Sequence, residues 1–129
     1  MRIVRLPAEP DAIAPDGSAV RVLVGSSRGS MAVFELGPGE TSAAVRHRTV
    51  EELWYFLGGR GEMWRRDANG AESVDAVEAG VSLDIPLGTT FQFRSAGDEP
   101  LRAVGVTMPP WPGEDEAVVV RGFWEPSVA

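Results

Sequence analysis

The sequence predicts an all-β domain, a sandwich or barrel of short strands, and three observations carry that expectation. Runs rich in valine, isoleucine, threonine and aromatic residues recur at near-regular spacing. Turn residues punctuate them, with 15 glycines and 10 prolines in the chain. No segment shows a helical period with caps at its ends. At 129 residues, 43% hydrophobic and 24% charged, the chain suits one globular domain over residues 1–129.

The elements follow in order. Ile3 to Leu6 is a short apolar strand candidate stopped by Pro7, and Ala8 to Ser18, with two prolines and an Asp-Gly, is loop. Ala19 to Val24 and Met31 to Leu36 read as hairpin partners across GSSRGS. Gly37-Pro38-Gly39 forces a turn before Thr41 to Arg48 resumes extended structure. Glu51 to Leu57 (EELWYFL) has an ambiguous period, but its length, aromatic content and bounding Gly58-Gly59 favour a strand apolar on both faces. Gly61 to Arg66 pairs with Ser73 to Val77 through Asn69-Gly70, the strongest hairpin signal present. Val81 to Ile85, Thr90 to Arg94 and Leu101 to Thr107 complete the series. The tail carries a stiff MPPWP, an acidic GEDEA and a last strand candidate from Val118. Such a tail is expected to cover an open edge or barrel end. The sharper alternative makes Trp111 and Trp124 a lid or a dimer contact.

Composition excludes several functions. The balance of 19 acids and 12 bases gives a net charge of −7, which offers neither the basic face of a nucleic-acid binder nor attraction to an anionic membrane. Without cysteine there is no disulfide, thiolate nucleophile or cysteine metal cluster. Every base is arginine, so no lysine is available for Schiff-base chemistry. No apolar run approaches the ~18 residues of a membrane span, and the start lacks the ~7–15 apolar residues of a signal peptide. A cytoplasmic protein is expected. Gly25-Ser26-Ser27-Arg28-Gly29 fits G-x-S-x-G, but a hairpin loop is not the strand-to-helix turn that a nucleophile elbow needs. Arg65-Arg66 and Glu114-Asp115-Glu116 read as solvated charges.

Two patterned runs remain. The first, Gly39 to Gly59, contains Val45, the sole histidine His47, and Glu52; the second, Gly80 to Ser95, contains Pro86, Gly88 and Phe91. Period-two geometry puts Val45 and His47 on one face and Phe91 and Phe93 on another. A turn at Arg48-Thr49-Val50 brings Glu52 round, followed by Trp54 and Phe56. The expected interior is therefore Val45, His47, Glu52, Trp54, Phe56, Phe91 and Phe93. The lone Tyr55 faces away from it.

In spacing and glycine and proline markers, the two runs resemble the two motifs of the cupin superfamily. The resemblance implies a double-stranded β-helix, or jelly-roll, cupin barrel, and a homodimer. It also implies a metal site, whose ligand positions fall on Val45, His47, Glu52 and Phe91. Valine and phenylalanine cannot ligate, so the motif is degenerate, and neither a metal nor another cofactor is expected.

What remains is an interior of aromatic rings with one histidine and one acid. Those seven residues can line a pocket for a small organic ligand with His47 and Glu52 as polar orienters, or simply fill the barrel. The leading expectation is a small-molecule-binding barrel. One alternative is a metal-independent isomerase, epimerase or cyclase with His47 and Glu52 as catalytic acid and base. Another is a structural or regulatory dimeric module, in which the pair merely satisfies its own hydrogen bonds.

Overall fold

A computed structural model describes residues 1–128. Its strands are β1 (Ala12–Ile13), β2 (Ala19–Gly25), β3 (Ser30–Leu36), β4 (Ala44–His47), β5 (Glu51–Gly58) and β6 (Arg60–Arg66). They continue with β7 (Glu72–Glu78), β8 (Ser82–Ile85), β9 (Thr90–Ser95), β10 (Leu101–Met108) and β11 (Ala117–Val120), with a 3-10 turn at Glu114–Glu116. All pairings are antiparallel, in a six-stranded sheet ordered β1-β2-β3-β10-β5-β8 and a five-stranded sheet ordered β11-β4-β9-β6-β7. This is a jelly-roll. Among the described residues no helix is long and apolar enough to cross a membrane.

Strand alternation builds the core. On β5, Glu52, Trp54 and Phe56 are buried, while Leu53, Tyr55 and Leu57 on the opposite face are about half exposed. The apolar character of both faces is thus real, but only one packs within the chain. Trp54 and Phe56 meet Phe91 and Phe93 from β9, and Leu36, Met63, Val77, Ile85 and Leu101 fill in around them. Fully burying such a side chain contributes about 1.5–3 kcal/mol. Gly59, at φ +76°, makes the turn from β5 to β6; a Cβ there would stand 2.3 Å from the carbonyl oxygen of Pro100.

Several expectations need correction. Ile3 to Leu6 forms no strand, because among the described residues no strand pairs with it. The expected loop before Ser18 contains β1, which pairs with β2. The β6–β7 hairpin forms through Asn69-Gly70 as expected, within a five-residue loop in which Asp67 Oδ1 accepts from the backbone N–H groups of Asn69 and Ala71. Arg65 is not merely solvated, since it pairs with Asp75 and Asp84, each at 3.1 Å. Glu116, expected on the surface, is buried. The G-x-S-x-G match is, as expected, the β2–β3 hairpin, closed by Ser26 N–H to the Gly29 carbonyl at 2.7 Å.

The tail covers an edge. β11 pairs with β4, and Gln92 on β9 then holds the segment beyond it. Its amide donates to the carbonyls of Ser42 and Trp124 and accepts from the N–H groups of Phe123 and Trp124. Four hydrogen bonds from one buried amide leave it fully satisfied. Trp124 packs against the Arg94 guanidinium, 4.2 Å from its ring centre. Trp111 goes elsewhere.

Candidate functional site in the barrel mouth

His47 ends β4 and Glu52 lies near the start of β5, so the corner between them fixes their relation. Glu116 holds that corner. Its backbone carbonyl accepts from Arg48 N–H at 2.9 Å, one carboxylate oxygen accepts from Thr49 N–H at 2.7 Å, and the other accepts from the Thr49 hydroxyl. Val50 turns into the core just beyond. His47 Nδ1 and Glu52 Oε2 consequently face each other at 3.4 Å, too poorly aligned for a hydrogen bond.

Around this pair is an aromatic wall. Trp54 lies across β10 at Gly105, where the missing side chain lets the indole reach β3 and stack on Phe34, with centroids 5.0 Å apart and planes at 16°. The His47 ring meets Phe91 and Trp111 edge-on, each at 5.3 Å. Trp111 is positioned by its backbone N–H, which donates to Ser30 Oγ at 2.9 Å, and that hydroxyl is also hydrogen-bonded to Thr107 Oγ1.

These groups enclose a cavity of about 340 Å³ between the sheets, within the size range of small-molecule sites. Val45, His47, Glu52, Trp54 and Phe91 line it together. Phe56 and Phe93, expected in the same lining, lie deeper: both are completely buried against Trp54 in the core. The difference is one of depth along the barrel, which period two does not report. Phe34, Asp16, Thr107 and Trp111 also line the cavity. Phe34 and Thr107 sit at inward positions of strands read correctly, so alternation alone could have placed them. Asp16 carried no signal beyond its turn.

Burial sets the charge of the site. It pushes the Glu52 carboxyl up to about 8, and the nearby acids Asp16 and Glu116 add to the rise while the Trp54 indole N–H opposes it. Burial likewise pushes His47 down to about 4, against a smaller opposing pull from Glu116. Both groups are then uncharged near neutral pH, and their close approach is not an ion pair. Burial also raises Asp16, although its Oδ1 accepts from both the N–H and the hydroxyl of Ser18. At Glu116 burial works the same way, but the Thr49 hydrogen bonds outweigh it and hold that carboxylate below its ordinary range.

The residues present do not fit a metal ion. Val45 and Phe91 are direct cross-strand partners, and both place hydrocarbon at positions where ligands would be needed. Among the described residues no three His, Cys, Asp or Glu side chains are grouped to hold an ion.

Comparison with known proteins agrees with this architecture. The family model described as "Cupin domain" matches residues 32–107. An uncharacterized protein of Methanocaldococcus jannaschii is 30% identical over 128 residues, covering 92% of this chain and 97% of that protein. Among solved structures, the capsular polysaccharide assembling protein CapF from Staphylococcus aureus superposes with TM-score 0.71 at 20% identity, over 84% of this chain and 33% of that one. Oxalate decarboxylase from Bacillus subtilis gives 0.72 at 19% identity, over 87% and 30%. The chain therefore spans about a third of the length of those two proteins. A protein from Bacillus halodurans gives 0.66 at 19% identity, over 81% and 76%. At such identities the structures speak to the fold alone, whereas the family model, which matches more than half of the chain, shows the family. The chain belongs to the cupin domain family.

Proposed function

We propose that this barrel binds a small organic ligand, with an apolar or aromatic body and a polar handle, in the cavity between its sheets. The supporting observation is the wall itself: the stacked Phe34–Trp54 pair and Phe91 give flat hydrocarbon surface, with His47 and Glu52 as polar points beside them. This is the usual make-up of a small-molecule site. Such a ligand would bury its ring against Trp54 and keep its polar end at the His47–Glu52 corner. The oxalate acted on by one structural relative is small, polar and doubly anionic, and it suits this wall poorly.

A thermal-shift screen of small aromatic and alicyclic compounds on wild type and Trp54→Ala tests the reading. Stabilisation of wild type by a subset, lost in the variant, is the expected result. Equal shifts in both would place binding elsewhere and overturn it.

A second reading rests on one further observation. Glu52 as a neutral acid and His47 as a neutral base share one wall, as proton transfer within a bound ligand requires. Exchange of an activated C–H proton of a bound ligand with deuterated solvent, abolished in His47→Ala while binding persists, would support this isomerase-type chemistry. Unchanged exchange in the variant would sink it.

A further inference from the structure

Three buried polar atoms in the wall have no hydrogen-bond partner: His47 Nδ1, Glu52 Oε2 and Trp54 Nε1. They belong to neighbouring side chains, and solvent reaches none of them. An unmade hydrogen bond in such a place is costly, so the protons should arrange themselves to leave as few as possible. The indole N–H can only donate. The Glu52 carboxyl is the acceptor beside it, and a proton on Nδ1 would face Oε2 at 3.4 Å, where a lone pair on Nδ1 would repel that oxygen. Oε2 then acts as the carbonyl oxygen of the Glu52 acid, which leaves the acid proton on Oε1. It also leaves Nε2 of His47 as a bare lone pair. The inward-facing atoms thus fix what the outward-facing ones can offer. Both residues line the cavity.

Resting on the ligand-binding reading above, we infer that the ligand is uncharged and presents a hydrogen-bond acceptor beside a donor on one edge. A cyclic amide (lactam) or a cyclic hydroxy-ketone has that edge. Its carbonyl oxygen accepts from Glu52 Oε1–H, its N–H or O–H donates to His47 Nε2, and its ring lies against Trp54. The wall argues against an anion in the same position. Among the described residues no arginine lines the cavity, and the other ionisable side chains in its lining are Asp16 and Glu114, both acids. A carboxylate would lose its hydration without gaining a cation. Glu52 is itself buried and shares that cation-free lining with two other acids, which favours its neutral form and preserves the donor.

Four probes of similar size separate the possibilities by isothermal calorimetry, with the Trp54 indole N–H signal in NMR as the reporter of cavity binding. They are isoindolinone, N-methylisoindolinone, indane and benzoate. Isoindolinone should bind best. Methylation removes one hydrogen bond and should weaken binding about tenfold, as should indane or more, and benzoate should be at least a hundredfold weaker. In His47→Phe the ratio between isoindolinone and its N-methyl derivative should collapse towards one. Benzoate binding as tightly as isoindolinone would overturn the neutral-ligand inference. Equal binding of the lactam and its N-methyl derivative, or of indane, would overturn the paired donor and acceptor. Either result leaves binding in the barrel standing. If none of the four moves the Trp54 signal, the ligand-binding reading fails, and the inference with it.

Discussion

Glu52→Gln is the sharpest probe of the site's electrostatics, because it removes an ionisation while keeping shape and hydrogen-bonding capacity. The Glu52 pKa rises from 4.5 in the unfolded chain to about 8 in the folded one. Between those values the folded protein keeps a proton that the unfolded chain has released. The stability from this group is therefore full below about pH 4.5 and is lost as pH climbs towards 8. His47 runs the other way: its pKa falls from 6.5 to about 4, so its contribution is lost as pH drops through that window. Each slope is about 1.4 kcal/mol per pH unit. The two oppose each other from 4.5 to 6.5 and leave a net fall from 6.5 to 8, worth about 2 kcal/mol. Glu52 is only 2% exposed, so solvent screening reduces this little. Urea unfolding of wild type and variant across this range reads the difference directly. Burial of Asp16 gives a slope of the same sign as Glu52, but it is present in both proteins and largely cancels. The variant should gain on wild type by about 2 kcal/mol between pH 6.5 and 8. Parallel curves, or a variant that loses ground as pH rises, would mean that the fold does not hold a proton on Glu52 through this range.

Three further outcomes follow from the packing. Gly105→Ala would place a Cβ 2.6 Å from the Phe34 ring and 3.1 Å from Trp54 Nε1. It should cost about 1–3 kcal/mol and weaken ligand binding through the displaced indole; an unchanged melting temperature and affinity would contradict the crossing of Trp54 over β10. Gln92→Leu leaves two backbone N–H groups and two carbonyls without their partner. It should cost about 2–4 kcal/mol in urea unfolding and speed hydrogen exchange at Phe123 and Trp124, and protection equal to wild type would show the tail held by other means. Glu116→Ala removes both Thr49 contacts and should destabilise by about 1–2 kcal/mol at pH 7. Because the pKa of Glu116 is held below 4.5, this penalty should be present above pH 4.5 and shrink as pH falls further. A penalty independent of pH would refute an ionised Glu116.

The strands were legible because alternation, turn residues and burial agree on them. Ala19 to Val24, Met31 to Leu36 and Leu101 to Thr107 match β2, β3 and β10 to within one residue at either end. Ile3 to Leu6 was misread because apolar residues suit a strand only where a partner strand exists, and pairing is a property of the whole fold. His47 and Glu52 could be brought together from spacing and a turn. The device that sets their separation could not, since Glu116 approaches Thr49 from 67 residues away. Depth along the barrel was equally hidden: Trp54 and Phe56 both point inward, yet only Trp54 reaches the cavity. The neighbour of Trp111 was not legible, because it depends on register: the Ser30–Thr107 cross-strand pair supplies the hydroxyl that seats it beside His47.

The decisive measurement is a crystal structure of the protein soaked with isoindolinone. Electron density for the ring is expected in the cavity of about 340 Å³, packed against Trp54, with its polar edge on Glu52 and His47. A cavity closed by Trp54, Phe91 and Trp111, with the probe bound only outside the barrel, would contradict it.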